Sequence, residues 1–195
     1  MTGAAFYLPL DKGALSPSEA ELSARLRVPL GYRDEAIAEA EKELLALCRP
    51  AACAVRVPIT REGERLLLGG CEAEGEAIGK ALQDCDEAFL LAVTLGMECE
   101  RHLCKLSLLS PAKHFLADAL ASAYAEAAAD LANEQLAEGL SLTNRFSPGY
   151  GDLPLSFQKS LLILTEANKY LHIELKDSLL MLPQKSITAI IGIRK

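Results

Sequence analysis

The sequence predicts an α+β fold, a largely antiparallel sheet packed with helices that include one long Ala-rich central helix. Three observations carry that expectation. Residues 110–139 form an almost unbroken helical run of alanine, leucine and glutamate. Short apolar and β-branched segments recur at 51–59, 87–96 and 184–193, bounded by turn residues. Helices and strands follow one another without the regular alternation that builds a parallel sheet. We expect one domain over 1–195, with a helical N-terminal part over about 1–50 and an α+β core over 51–195.

Taken in order, the first thirty residues read as a strand or loop and then a short helix. Ser16 is its expected N-cap, Pro17 its first residue and Glu19 the partner in a capping box. A second helix begins near Asp34, buries residues 37, 40, 44, 45 and 48, and ends before Pro50. "AACAVRVPI" and "ERLLLGG" flank "TREG" as a β-hairpin. "EAIGKALQD" is a short helix, "EAFLLAVTLG" a buried strand closed by Gly96, and Met97–Leu108 another helix. Ser110 then caps, Pro111 opens and Gly139 closes the long helix, which spans about 42 Å at 1.5 Å per residue. Its nine alanines between Ala117 and Ala132 permit close approach from several sides, so it should be the central packing element. "PLSFQKSLLILTEANKYL" is expected as one further helix and "QKSITAIIGI" as the last strand.

A net charge of −7 and the lack of a basic stripe argue against a nucleic-acid partner. The N-terminus has no basic segment followed by an apolar run, and no apolar stretch approaches the roughly 20 residues of a membrane span. We therefore expect a cytoplasmic chain with no membrane partner and reduced thiols. The six cysteines include no C-x-x-C pair. Cys99, His102 and Cys104 point in different directions on a helix, so no metal site is expected and the thiols read as small buried groups. Phosphate-binding loops, a dinucleotide fingerprint and a nucleophile elbow are all missing. "LGGCEAEGEAIG" is glycine-rich with the wrong spacing, and three scattered histidines give no acid–base constellation, so no catalytic residue is assigned.

The special residues concentrate instead in "RFSPGYGDLPLSFQ", residues 145–158. Pro148 and Gly149 suit the two central positions of a type II turn, where proline fixes φ and glycine supplies φ > 0. Such a turn leaves backbone polar groups facing outward. Arg145 can clamp a carboxylate through paired charge-assisted bonds, and Tyr150 offers an aromatic face and a hydroxyl. Together they suit a small zwitterion with a heterocycle. They equally suit a tight loop whose arginine pairs with a nearby glutamate and whose tyrosine packs in the core.

Arg145-Phe146-Ser147-Pro148-Gly149-Tyr150, followed by Pro154, resembles the R-x-x-P-G-Y…P segment of the activation domain of vitamin B12-dependent methionine synthase. "ALASAYAEAAADLANEQL" is similar to that family's preceding long helix. "LKDSLLMLPQKSITAIIGI" resembles its closing segment, with Ser178, Met181, Pro183, Lys185, Ser186 and Ala189 in pattern. The three blocks cover about residues 110–193.

This resemblance implies binding of S-adenosylmethionine (AdoMet) and service to cobalamin that has been oxidised to inactive Co(II). Arg145 would hold the methionine carboxylate, and Ser147, Pro148 and Gly149 would form the cradle. Tyr150 would lie near the ligand and the face offered to the corrinoid, Glu126 would face the ammonium or sulfonium, and Lys185 and Ser186 would border the cleft. The chain would then be a free-standing reactivation subunit. Its expected partners are a cobalamin-carrying methionine synthase without its own activation domain and, as electron donor, flavodoxin or ferredoxin. The cofactors carry the hard chemistry, so an accessory role without a catalytic triad is coherent.

Two departures stand out. The family has Pro after the tyrosine, where this chain has Gly151-Asp152-Leu153, and it has a tyrosine soon after the closing motif, where this chain has Ile190-Ile191. No cobalamin-binding D-x-H-x-x-G, folate module or homocysteine zinc site is present, so the chain itself is not expected to be a methionine synthase. The alternative readings are an AdoMet-independent scaffold or corrinoid-protein chaperone of the same fold, and a conventional small-molecule methyltransferase.

Overall fold

The computed structural model describes residues 2–195. Strands β1 (Phe6–Pro9), β2 (Ala51–Glu62), β3 (Arg65–Leu68), β4 (Cys71–Glu72), β5 (Cys85–Thr94) and β8 (Ser186–Arg194) form one sheet. Its order is β4-β3-β2-β5-β8, with β1 on β2, and every pairing is antiparallel. β6 (Glu174–Leu175) and β7 (Met181–Leu182) make a separate two-stranded ribbon. The helices are α1 (Glu19–Leu26), α2 (Glu35–Leu47), α3 (Glu76–Ala81), α4 (Met97–Leu109), α5 (Pro111–Leu136), α6 (Phe157–Leu164) and α7 (Ala167–Leu171). The α+β class and the long helix are as the sequence indicates.

Alternation along the strands sorts the core into two faces. Ala52, Ala54, Phe89, Leu91, Val93, Ile191 and Ile193 face α5 together with buried residues of α1, α2 and α4. Val55, Val57, Ala88, Leu90 and Ile190 face the other way, against α3 and α6. α5 is the axis of the first layer. All nine of its alanines between 117 and 132 are buried, because α1, α2 and α4 surround it while the sheet lies beneath. The alanines lie on several faces of the helix, and each of those faces is stable because a neighbouring element covers it. The N-terminal residues Leu10, Leu15, Leu22, Leu26 and Ile37 contribute to this same core. Tyr124 ties α5 to α2 by donating to Glu41 at 2.7 Å, and burial together with that carboxylate pushes its phenol pKa up. Cys48, Cys53, Cys85 and Cys99 are buried free thiols.

Three local expectations shift. α1 is capped by Ser18, which accepts from Glu21 N at 3.2 Å, because S-x-x-E occurs twice in step and the second copy is used. Residues 15–18 stay extended from the 3₁₀ turn at Lys12–Ala14. In the hairpin, β2 runs on to Glu62 opposite Arg65, so the connection is a two-residue Gly63-Glu64 loop and not "TREG". The helix expected over 154–171 breaks in two at Thr165 and Glu166. Buried Thr165 turns its hydroxyl back onto the Leu161 carbonyl at 2.9 Å, and Glu166 follows in the left-handed region at φ 52°. No helix among the described residues is long and apolar enough to cross a membrane.

Candidate functional site

β8 is the last strand of its sheet, and residues 141–146 close its outer edge. Phe146 exchanges both backbone hydrogen bonds with Ile190, at 2.9 and 2.8 Å, and Arg194 N donates to Ser141 O at 2.8 Å. This irregular strip covers an otherwise open edge and places Arg145 beside α5. The chain then reverses at Ser147–Tyr150, where Tyr150 N donates to Ser147 O at 3.1 Å and Gly149 has φ +86°. Pro148 and Gly149 therefore occupy the centre of a type II turn, as their order in the sequence predicts.

The turn's backbone is partly consumed internally. Gly149 N donates to Leu153 O at 2.9 Å, so that N–H is not open to a ligand, and the Ser147 carbonyl already accepts one bond, from Tyr150. The Ser147 N–H and the Gly149 carbonyl have no hydrogen-bond partner among the described residues. The divergent segment after Tyr150 is an anchor. Asp152 accepts from Glu76 N at 2.7 Å and Ala77 N at 3.1 Å, capping α3 where Gly75 has no side chain to do so. Those two amides hold the Asp152 carboxyl below the usual range. Gly75 is required there: its φ is +128°, and a Cβ would sit 2.6 Å from Asp152 Oδ1.

Arg145 lies between two carboxylates of α5, its Nη2 at 3.1 Å from Glu126 and 2.8 Å from Asp130. Its side chain is only 20 % exposed. Glu126 also approaches Arg25 of α1 at 4.0 Å, so the N-terminal helices reach the site. Around these groups opens a cavity of about 470 Å³ lined by Glu126, Asp130, Asn133, Arg145, Ser147 and Tyr150, with Thr143, Asn144 and Ile187 alongside. That volume lies within the roughly 300–1,000 Å³ of small-molecule pockets. Tyr150 is 73 % exposed, edge-on to Phe146, and so does not pack in the core. Asn133 also lines this cavity, and its Oδ1 is buried without a hydrogen-bond partner among the described residues. A larger cavity of 570 Å³ opens across the 143–146 segment, lined by Lys80, Gln83 and Arg194 among others. The charged end of Arg145 turns away from it toward α5, so the carboxylate-lined cavity is the better candidate.

Arg145, Ser147, Tyr150 and Glu126 thus converge, with Pro148 and Gly149 shaping the turn between them. Lys185 and Ser186 do not line the cavity. Lys185 Nζ is bound by Asp118 and Ser122 of α5, each at 2.8 Å, and Ser186 donates to Thr94 at 2.9 Å in the core. They fasten the entry of β8 to its neighbours. Ile190 and Ile191 are fully buried on opposite faces of β8, so neither position reaches the cavity. Asp130 and Asn133 were not singled out from sequence, although they lie four and seven residues after Glu126 and so share its helix face.

An antiparallel sheet crossed by one long, largely buried helix, with further helices on both faces, defines the fold class. Among solved structures, that class includes the MetH reactivation domain bound to AdoHcy, which is similar to this chain with a TM-score of 0.72 and 14% sequence identity. The match covers 98% of this chain and 78% of that one. No family model and no curated protein matches the chain.

Proposed function

We propose that the chain binds AdoMet in the cavity between α5 and the 143–150 segment and supports reductive methylation of cob(II)alamin. The cobalamin would be carried by a separate methionine synthase that lacks its own activation domain, with flavodoxin or ferredoxin as electron donor, in the cytoplasm. One observation carries this reading: a single guanidinium, Arg145, set between Glu126 and Asp130 in a cavity roofed by an exposed tyrosine. The shared fold with a reactivation domain supports it.

The residues suit the ligand group by group. Arg145 takes the α-carboxylate through charge-assisted bonds. Glu126 and Asp130, released from Arg145, take the ammonium and sulfonium charges, so the ion cluster of the empty cavity is exchanged and not left unpaired. Bound AdoMet would supply an activated methyl group that captures Co(I) as it forms and so draws the uphill reduction forward. The protein holds the ligand, and Tyr150, standing clear of the core, presents the side toward a docked corrinoid.

A second reading rests on the same geometry. Arg145 is already satisfied by two carboxylates, which also suits a scaffold or corrinoid-protein chaperone that needs no AdoMet. Following the EPR signal of Co(II) on the partner, with reductant and with or without AdoMet, separates the two. Reactivation predicts loss of the signal only when both this chain and AdoMet are present. A signal indifferent to AdoMet favours the scaffold, and methylation of a small molecule without cobalt would replace both with an ordinary methyltransferase.

A further inference from the structure

The 570 Å³ cavity across the 143–146 segment is built differently from the carboxylate-lined one. Three walls meet there: the turn 82–85 between α3 and β5, the end of β8, and the strip at Thr143–Phe146. They meet closely because Gly192 of β8 has no side chain. A Cβ there would sit 2.6 Å from Cys85 Sγ, 2.7 Å from Leu82 Cδ2 and 3.0 Å from Thr143 Cγ2. Arg61 fixes the turn, its Nη2 donating to the Leu82 carbonyl at 2.7 Å and its Nη1 to that of Cys85 at 3.3 Å. The cavity is therefore preformed by packed elements.

Its polar lining is free to meet a ligand. Arg194, alone among the arginines, has no ion pair, side-chain hydrogen bond or aromatic contact among the described residues. Lys80 reaches only Glu76, at 3.3 Å, in a pair that stands mostly in solvent and so holds it weakly. The side-chain amides of Gln83 and Asn144 and the carboxylate of Asp84 likewise have no hydrogen-bond partner among the described residues, and none of them is buried. Two cations thus gather at one cavity of a chain whose net charge is −7. A simple carboxylate is answered by the guanidinium alone. A phosphate uses both cations, Arg194 through its planar fork and Lys80 as a point charge. Asp84 repels a bare anion but accepts from hydroxyls, as the two amides do, so it suits a phosphate that carries a hydroxylated body.

We propose that this cavity is a second binding site, one for a phosphorylated sugar. The phosphate lies on Arg194 and Lys80, and the sugar hydroxyls lie on Asp84, Gln83 and Asn144. Such a ligand comes as a free sugar phosphate or as a nucleotide, and in the second case the base lies against Phe146, which also lines the cavity. The proposal does not rest on the AdoMet reading, and AdoMet binding to the same protein decides neither outcome.

The test is calorimetric titration of the full chain with ribose phosphate, uridine monophosphate and inorganic phosphate at equal ionic strength, comparing wild type, Arg194→Gln and Asp84→Asn. Both substitutions fall on exposed side chains without partners, so the fold is retained; equal melting temperatures verify this. Wild type should bind at least one phosphorylated sugar saturably, about fivefold or more tighter than inorganic phosphate. Arg194→Gln should weaken all three ligands about five- to tenfold, the scale of one charge-assisted contact at an exposed position. Asp84→Asn should shrink the preference for the sugar ligands over inorganic phosphate about threefold; relief of charge repulsion acts on every phosphate alike and cancels in that ratio. Tighter binding of uridine monophosphate assigns the nucleotide, and tighter binding of ribose phosphate assigns the free sugar; both support the site. No binding of either sugar ligand at about 10 mM overturns the proposal. So do equal affinities for sugar and inorganic phosphates, affinities unchanged in Arg194→Gln, or a ratio unchanged in Asp84→Asn.

Discussion

The Asp152 carboxylate accepts the Glu76 backbone N–H at 2.7 Å, so a residue two places past the Ser147–Tyr150 turn caps α3. The turn is held from both ends: Phe146 is zipped onto Ile190, and Asp152 is fixed to α3. Asp152→Ala should lower the melting temperature by about 2–4 °C and weaken AdoMet, with thermal melts and titration as the checks.

Its pH dependence has a definite sign. Because the folded pKa of Asp152 is lowered by the two amides, its ionised cap stabilises fully above the ordinary aspartate pKa. That contribution is lost as the pH falls through the lowered folded value. The melting-temperature gap between wild type and Asp152→Asn should be widest near neutrality and close below about pH 4. A gap that widens on acidification would contradict this assignment.

Lys185 separates anchoring from ligand contact. It is 14 % exposed and bound to Asp118 and Ser122, away from the cavity lining. Lys185→Met should cost about 1–3 kcal/mol of stability in denaturant melts and leave the AdoMet Kd within about twofold. A tenfold loss of affinity with little loss of stability would place it at the cleft instead.

Tyr150 predicts the reverse pattern. Its side chain stands largely in solvent, so Tyr150→Ala should change stability by no more than about 0.5 kcal/mol. AdoMet-dependent loss of the Co(II) signal should fall sharply in the same variant, since among the described residues that line the cavity no other is aromatic. Reactivation at the wild-type rate would remove Tyr150 from the site.

What was legible in the sequence is what neighbouring residues decide. Ser110 and Pro111 open α5 by local capping, and Pro148-Gly149 make their turn through their own φ preferences. The face carrying Glu126, Asp130 and Asn133 follows from helical spacing, but that Arg145 meets it depends on residues 141–146 docking along β8. The capping of α3 by Asp152 joins segments far apart in the chain, and no local pattern marks it. Thr165 looked like an ordinary helical residue until its burial turned the hydroxyl onto the preceding carbonyls and ended α6. Lys185 and Ser186 belong to a recognisable motif whose residues here fasten β8 and not the cavity.

On the proposed function, Arg145 receives the carboxylate of AdoMet. Titration of AdoMet into wild type and Arg145→Ala, with melting curves to confirm that both are folded, tests it most directly. Binding to wild type should be saturable, and Arg145→Ala should lose about tenfold or more in affinity, the scale of one charge-assisted pair. Absence of binding to folded wild type at millimolar AdoMet, or equal affinity in the two proteins, would contradict it.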